Sequence, residues 1–199
     1  MEFHVLSLYP IYETIKAAHG YPKTPPPLPL RKSETYVLFR KTYKELIQDI
    51  NSDRAVYLWF AVNKQKKVEY VYVGMSDRNK GGLRQRFDDE FRQWYHVYWM
   101  TAFKTKQYER QVTQLYPGYD TEIKNQALKH GATHVVYCQN IPNSINIPKL
   151  EKELIALFDF PRGNDDEEGF MKPGTYSEEA DTIFEEFVRI TKTVKPYEI

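Results

Sequence analysis

RAVYLWFAVNKQKKVEYVYVGMSDRNKGGLRQRFDDEF, Arg54 to Phe91, decides the fold. Ala55 to Val62 and Val68 to Met75 are rich in β-branched and aromatic residues, and the polar NKQKK between them suits a hairpin loop. Gly74 falls where the backbone must turn sharply or admit a close neighbour. Gly81 and Gly82 then break the pattern, and a helix is expected from about Leu83 into the aromatic run Phe87, Phe91, Trp94, Tyr95, Tyr98 and Trp99. Strand, turn, strand, glycine break and helix form one unit around which the remainder packs.

Upstream, a short helix is expected around Ile11 to His19, ended by Gly20. Lys23 to Lys32, KTPPPLPLRK, reads as a stiff connector, because clustered prolines remove donors and favour polyproline II. Ser33 to Asn51 carries a cap and apolar Tyr36, Leu38, Phe39, Tyr43, Leu46, Ile47 and Ile50 at helical spacing. Downstream, Asp120 is read as the cap of a helix to His130, and Ala132 to Gln139 as a third strand. An apolar-faced helix follows over Lys149 to Phe158, then an acidic loop from Arg162 to Gly174 and a terminal helix from Ser177 to about Thr191. These elements predict an α+β fold, a small three-stranded antiparallel sheet flanked by helices. Residues 1–52 are read as an N-terminal extension, 53–165 as the central domain, and 166–199 as a tail packed on the same core.

A length of 199 residues with 41% hydrophobic content suits one core. Cys138 is the single cysteine, so an internal disulfide and a thiolate metal cluster are excluded, and a cytoplasmic setting is the expectation. No apolar run approaches the roughly 18 residues of a membrane span, and MEFHVLSLYPIYE has neither a basic start nor a long apolar block. Charge is unevenly placed: Lys64 to Arg110 holds eleven Lys and Arg against six Asp and Glu, whereas Glu151 to Ile199 holds six against thirteen. The first region favours phosphates and the tail does not.

Phosphodiester hydrolysis needs an activated water, a cation for the transition-state charge and usually a carboxylate-held metal. Tyr57 or Tyr72 could orient or deprotonate water if a nearby cation lowered a phenol pKa of about 10. Arg86 offers a permanently charged planar fork, and Glu151 a hard oxygen ligand on a helix. Each of these residues, taken alone, equally suits packing or a solvated surface.

The joint pattern resembles the GIY-YIG nuclease family. Ala55-Val56-Tyr57 is similar to the first half of its name motif and Tyr72-Val73-Gly74 to the second; LRQRF, Leu83 to Phe87, resembles its arginine-bearing helix segment. Leu150 to Ile155 is similar to its E-x-x-L-I signature, which selects Glu151 over Glu153. Pro161-Arg162-Gly163-Asn164 resembles its P-x-x-N closing turn. The resemblance implies a DNA endonuclease using one Mg²⁺ or Mn²⁺ and no organic cofactor. It implies Tyr57 as base or water-positioning group, Tyr72 assisting it or binding phosphate, Arg86 stabilising the transition state and Glu151 as metal ligand, with Gly74 and Asn164 in support. Lys80, Arg84, Lys104, Lys106 and Arg110 are the candidate DNA contacts, and a palindromic target would imply a two-fold homodimer.

The chain departs from that pattern at Ala55, which replaces a glycine, at Met75, where a lysine is common, and at Glu90, where His or Tyr is common. Arg92 and His96 offer a second register with the arginine-plus-four histidine spacing. The competing reading from another class is a non-catalytic nucleic-acid- or protein-binding module on the same scaffold. A small-molecule enzyme is not supported, because the chain has no phosphate-binding glycine loop, nucleophile elbow or Cys/His constellation.

Overall fold

A computed structural model describes residues 1–19, 33–77, 81–103, 131–161, 163–164 and 175–196. In chain order these form β1 (Glu2–Ser7), α1 (Tyr9–His19), α2 (Glu34–Leu46), β2 (Ala55–Val62), β3 (Val68–Ser76), α3 (Gly82–Phe103), β4 (His134–Gln139), α4 (Ile147–Leu157) and α5 (Glu178–Thr191). The expected Asp120 helix lies outside the described residues.

The fold is α+β, but the sheet has four antiparallel strands in the order β1-β4-β2-β3, not three. The added strand is β1, which pairs with β4 from Glu2 opposite Gln139 to Ser7 opposite His134. EFHVLS is half polar and stays largely exposed as an edge strand, so it lacks the apolar density that marks the inner strands. By contrast, all but one residue of AVYLWFAV is buried, because both faces of β2 are covered.

One face of the sheet is packed by α1 to α3. Tyr43, Phe87, Phe91 and Tyr95 meet Tyr57, Trp59, Val71 and Val135 there. On the other face, Leu150, Leu154 and Phe158 of the α4 region and Ile183 and Phe187 of α5 cover Val56, Leu58, Phe60, Val73 and Cys138. Side-chain caps fix the helix starts: the Ser33 hydroxyl accepts from Tyr36 N, Asn146 Oδ1 from Lys149 N and Ser177 Oγ from Ala180 N, so α4 begins at Ile147, two residues before the expected Lys149. The expected Ser33–Asn51 helix closes at Leu46, with Ile47 as its C-cap.

A break in the β2–β3 register positions the tyrosines. Tyr57 pairs with Gly74 and Trp59 with Tyr72, but Phe60 pairs with Tyr70, so Val71 is left over as a bulge. Strict alternation would put Tyr70 and Tyr72 on one face. With the bulge, Tyr70 packs on Phe158 at a ring separation of 4.7 Å, while Tyr72 stays on the α3 side with Tyr57.

His134, at the start of β4, stacks on Phe60 at 5.3 Å and sits 2.8 Å from the Thr133 hydroxyl. Burial holds its pKa down at about 4, against 6.5 for an open imidazole. The unfolded chain therefore takes up this proton first, and stability falls as pH drops from about 6.5 to about 4, by roughly 3 kcal/mol in full. Urea midpoints measured across that window should decline with acid, and a His134→Phe variant, which keeps the stack, should flatten the decline.

Candidate active site

Four motif residues come from four elements. Tyr57 lies on β2, Tyr72 on β3, Arg86 one turn into α3 and Glu151 on α4. The two phenol rings lie 6.2 Å apart. Arg86 joins them: its Nε donates to the Tyr57 oxygen at 3.0 Å, and its Nη2 reaches the Tyr72 oxygen at 3.5 Å. Glu151 is partly buried and close enough that its charge raises the Tyr72 pKa. Glu153 is engaged elsewhere, accepting the Ser177 hydroxyl at 2.5 Å and facing Lys149 at 3.6 Å.

Gly74 explains how the Tyr57 ring fits. A Cβ built there would lie 2.5 Å from the ring's Cζ and hydroxyl, so the phenol lies directly over the glycine. Gly74→Ala is expected to displace the ring and to cost about 1–3 kcal/mol of stability, as overpacked cores do. A Tyr57→Phe, Gly74→Ala double variant removes only the hydroxyl and should recover little, because Cζ and Cε2 remain in collision. Chemical denaturation of the single and double variants checks this.

The Pro161 to Asn164 turn closes the free edge of β3. Gly163 N donates to the carbonyl of the bulged Val71 at 2.7 Å. The Asn164 amide pairs with both main-chain groups of Val73, accepting from N at 2.9 Å and donating to O at 2.8 Å. Asn164 thus holds the strand that carries Tyr72, which is a positioning contact.

Glu90 is at the centre of the group. Its carboxylate is 1% exposed. Oε1 accepts from the Tyr57 hydroxyl at 2.5 Å and pairs with Arg86 Nε at 3.0 Å, and Oε2 accepts from Trp59 Nε1 at 3.1 Å. A buried carboxylate is tolerated only when paired and hydrogen-bonded in this way. Its neighbours in sequence point elsewhere. Asp88 takes the Tyr43 hydroxyl at 2.8 Å and Lys44 at 2.7 Å, and Asp89 pairs with Arg92. Of the two arginines, Arg92 is held by Asp88 and Asp89 of its own helix, and Arg86 meets the tyrosines. The His96 side chain lies outside the described residues.

The electrostatics differ from the expectation that a cation would lower a phenol pKa. Burial, and then the Glu90 charge, push Tyr57 well above its ordinary value, and Arg86 only partly opposes them. Tyr72 is raised by the same two causes, with Arg86 again opposing and Glu151 adding to the rise. Both phenols are therefore protonated at neutral pH: Tyr57 donates to Glu90 Oε1, and Tyr72 accepts from Arg86 Nη2. Arg86 is held charged by Tyr57 and Glu90 against the effect of burial. Its side chain is 36% exposed, so the guanidinium end can still meet a ligand oxygen.

Trp59 is the participant that the motifs do not reveal. It lies two residues beyond Tyr57, on the same strand face, and that spacing is the signal that could have found it. Among the candidate DNA contacts, Arg84 is exposed on the first turn of α3. Lys80, Lys104, Lys106 and Arg110 lie outside the described residues. No group of three or more His, Cys, Asp and Glu side chains able to hold a metal occurs among the described residues. Of the two carboxylates whose charge reaches Tyr72, Glu90 is buried and engaged by Tyr57, Trp59 and Arg86, and Glu151 is the partly exposed one. A single carboxylate fits Mg²⁺, which keeps most of its waters, and does not fit a closed protein cage. No helix among the described residues is long and apolar enough to cross a membrane.

No protein family, no characterised protein and no solved structure matches the chain.

Proposed function

We propose that the chain is a metal-dependent DNA endonuclease of the GIY-YIG type, hydrolysing phosphodiester bonds with Mg²⁺ or Mn²⁺ at Glu151. The observation that carries this reading is the hydrogen-bonded group of Tyr57, Arg86 and Tyr72, with the Glu151 charge acting on Tyr72. In this reading Arg86 binds a non-bridging phosphate oxygen and stabilises the charge that grows there. Tyr72, the more exposed of the two phenols, orients the attacking water or the phosphate by hydrogen bonding. Tyr57 is fully buried and acts by holding Arg86 in place together with Glu90. A divalent ion, when bound, would supply an acidified water and charge neutralisation.

A second reading, a non-catalytic nucleic-acid- or protein-binding module on the same scaffold, is favoured by one observation. Glu90 lies inside the site and occupies Arg86 Nε and the Tyr57 hydroxyl. Incubating the protein with supercoiled plasmid and Mg²⁺ or Mn²⁺ decides between the two. Nicked or linear product supports the nuclease. Intact plasmid across several DNAs, with DNA binding retained, supports the module.

A further inference from the structure

A polar pocket of about 320 Å³ opens at the end of the sheet where β2 begins, lined among others by Asn51, Asp53, Arg54 and Asn143. Its floor is fixed. The Ser52 hydroxyl donates to Arg54 O at 3.0 Å and accepts from Asn140 N at 3.0 Å. The Arg54 guanidinium donates to the carbonyls of Ile141 at 3.2 Å, Pro142 at 3.1 Å and Ile145. This cation is therefore committed to the backbone, and the floor is poorly suited to a phosphate. Asn51, Asp53 and Asn143 are exposed around the opening and present two carboxamides and one carboxylate.

Along β2 and α3 the pocket lies a few residues from Tyr57 and Arg86. Arg54 precedes Tyr57 by three residues on an extended strand, a distance of about 10 Å. The first residue of α3, Gly82, packs on the same loop, since a Cβ there would lie 3.1 Å from Ser52 O and 3.2 Å from Asp53 Oδ1. Arg86 follows one helical turn later, about 6 Å along the axis.

We propose that this pocket reads the edge of one adenine base next to the phosphate bound at Arg86, an inference that rests on the nuclease reading. A carboxamide pairs in two places with adenine N6 and N7, and a carboxylate accepts from an exocyclic amine and repels the keto oxygens of guanine and thymine. Asn51 and Asn143 supply the first kind of group, and Asp53 the second. The volume holds one heterocycle and lies at the small end of ligand pockets.

Two measurements test this. Wild-type protein with EDTA, titrated with short oligonucleotides, should show the side-chain amide signals of Asn51 and Asn143 moving with an adenine-containing strand and not with oligo-dT. Sequencing of ends cut from random DNA with Mg²⁺ should show adenine enriched at one fixed position beside the break. Asn51→Ala and Asn143→Ala should reduce that enrichment by about tenfold or more. Amide signals that stay still, that move equally with oligo-dT, or an enrichment that neither variant changes would overturn the proposal. If the wild type leaves all DNA uncut, the nuclease reading falls, while adenine-dependent amide shifts would still establish the pocket as a base site.

Discussion

Arg86→Ala is expected to leave supercoiled plasmid uncut at enzyme concentrations where the wild type converts it fully, a loss of at least about 10²–10³-fold in turnover. The guanidinium is a charged donor that touches both tyrosines, and its pairing with the buried Glu90 orients it before substrate arrives. Charge stabilisation by a fixed donor grows in the transition state, so the loss should fall on kcat more than on DNA affinity. Lysine is a poor replacement, because an ammonium lacks the planar fork in which Nε meets Tyr57 and Glu90 while the Nη groups face Tyr72 and a phosphate oxygen. Glu151→Ala should abolish cutting by a different route. Its defect should be partly relieved by raising Mn²⁺, whereas that of Arg86→Ala should not. Time courses at several metal concentrations separate the two, and undiminished cutting by either variant would remove that residue from the site.

The parts of this architecture that were legible in the sequence are those set by apolar density and capping chemistry. The β2–β3 hairpin, α2, α3, α4 and α5 could be read because their runs are strongly patterned and flanked by the Ser33 or Ser177 caps or by glycine or proline breaks. β1 could not, because an exposed edge strand needs little apolar surface and its pairing is a long-range property. The facing of Tyr72 against Tyr70 was also hidden, since it depends on the bulge at Val71, and a bulge leaves no mark on a run of uniformly β-forming residues. Glu90 was half legible. Spacing of four from Arg86 puts both on one helical face, but only the packing shows that this face carries the carboxylate beneath Tyr57 and Trp59. The raised pKa of Tyr57 was hidden for the same reason: the sequence offers a cation nearby, while the fold supplies burial and a carboxylate that outweigh it.

Glu90→Ala is expected to be among the most destabilising single changes in the described fold, by about 3 kcal/mol. The Tyr57 hydroxyl and the Trp59 indole N–H would each lose a buried acceptor, at about 1–3 kcal/mol apiece. The Arg86 contribution is discounted because its side chain is 36% exposed and water can replace part of the pairing. For a chain of this length that corresponds to a fall in Tm of roughly 6–12 °C. Glu90→Gln should lie between, since one amide oxygen still serves Tyr57 and Arg86 while the amide nitrogen confronts the Trp59 donor. Stability alone does not separate the two functional readings, but activity does. If Glu90 orients Arg86 for catalysis, Glu90→Gln cuts more slowly than wild type at a temperature where both are folded. If Glu90 instead occupies groups that a substrate would need, wild type is silent and Glu90→His, which restores the residue type of the resembled motif, acquires metal-dependent nicking. The same carboxylate thus connects the buried donors of β2 to Arg86, a partly exposed cation on α3, so its replacement is read out in both stability and activity.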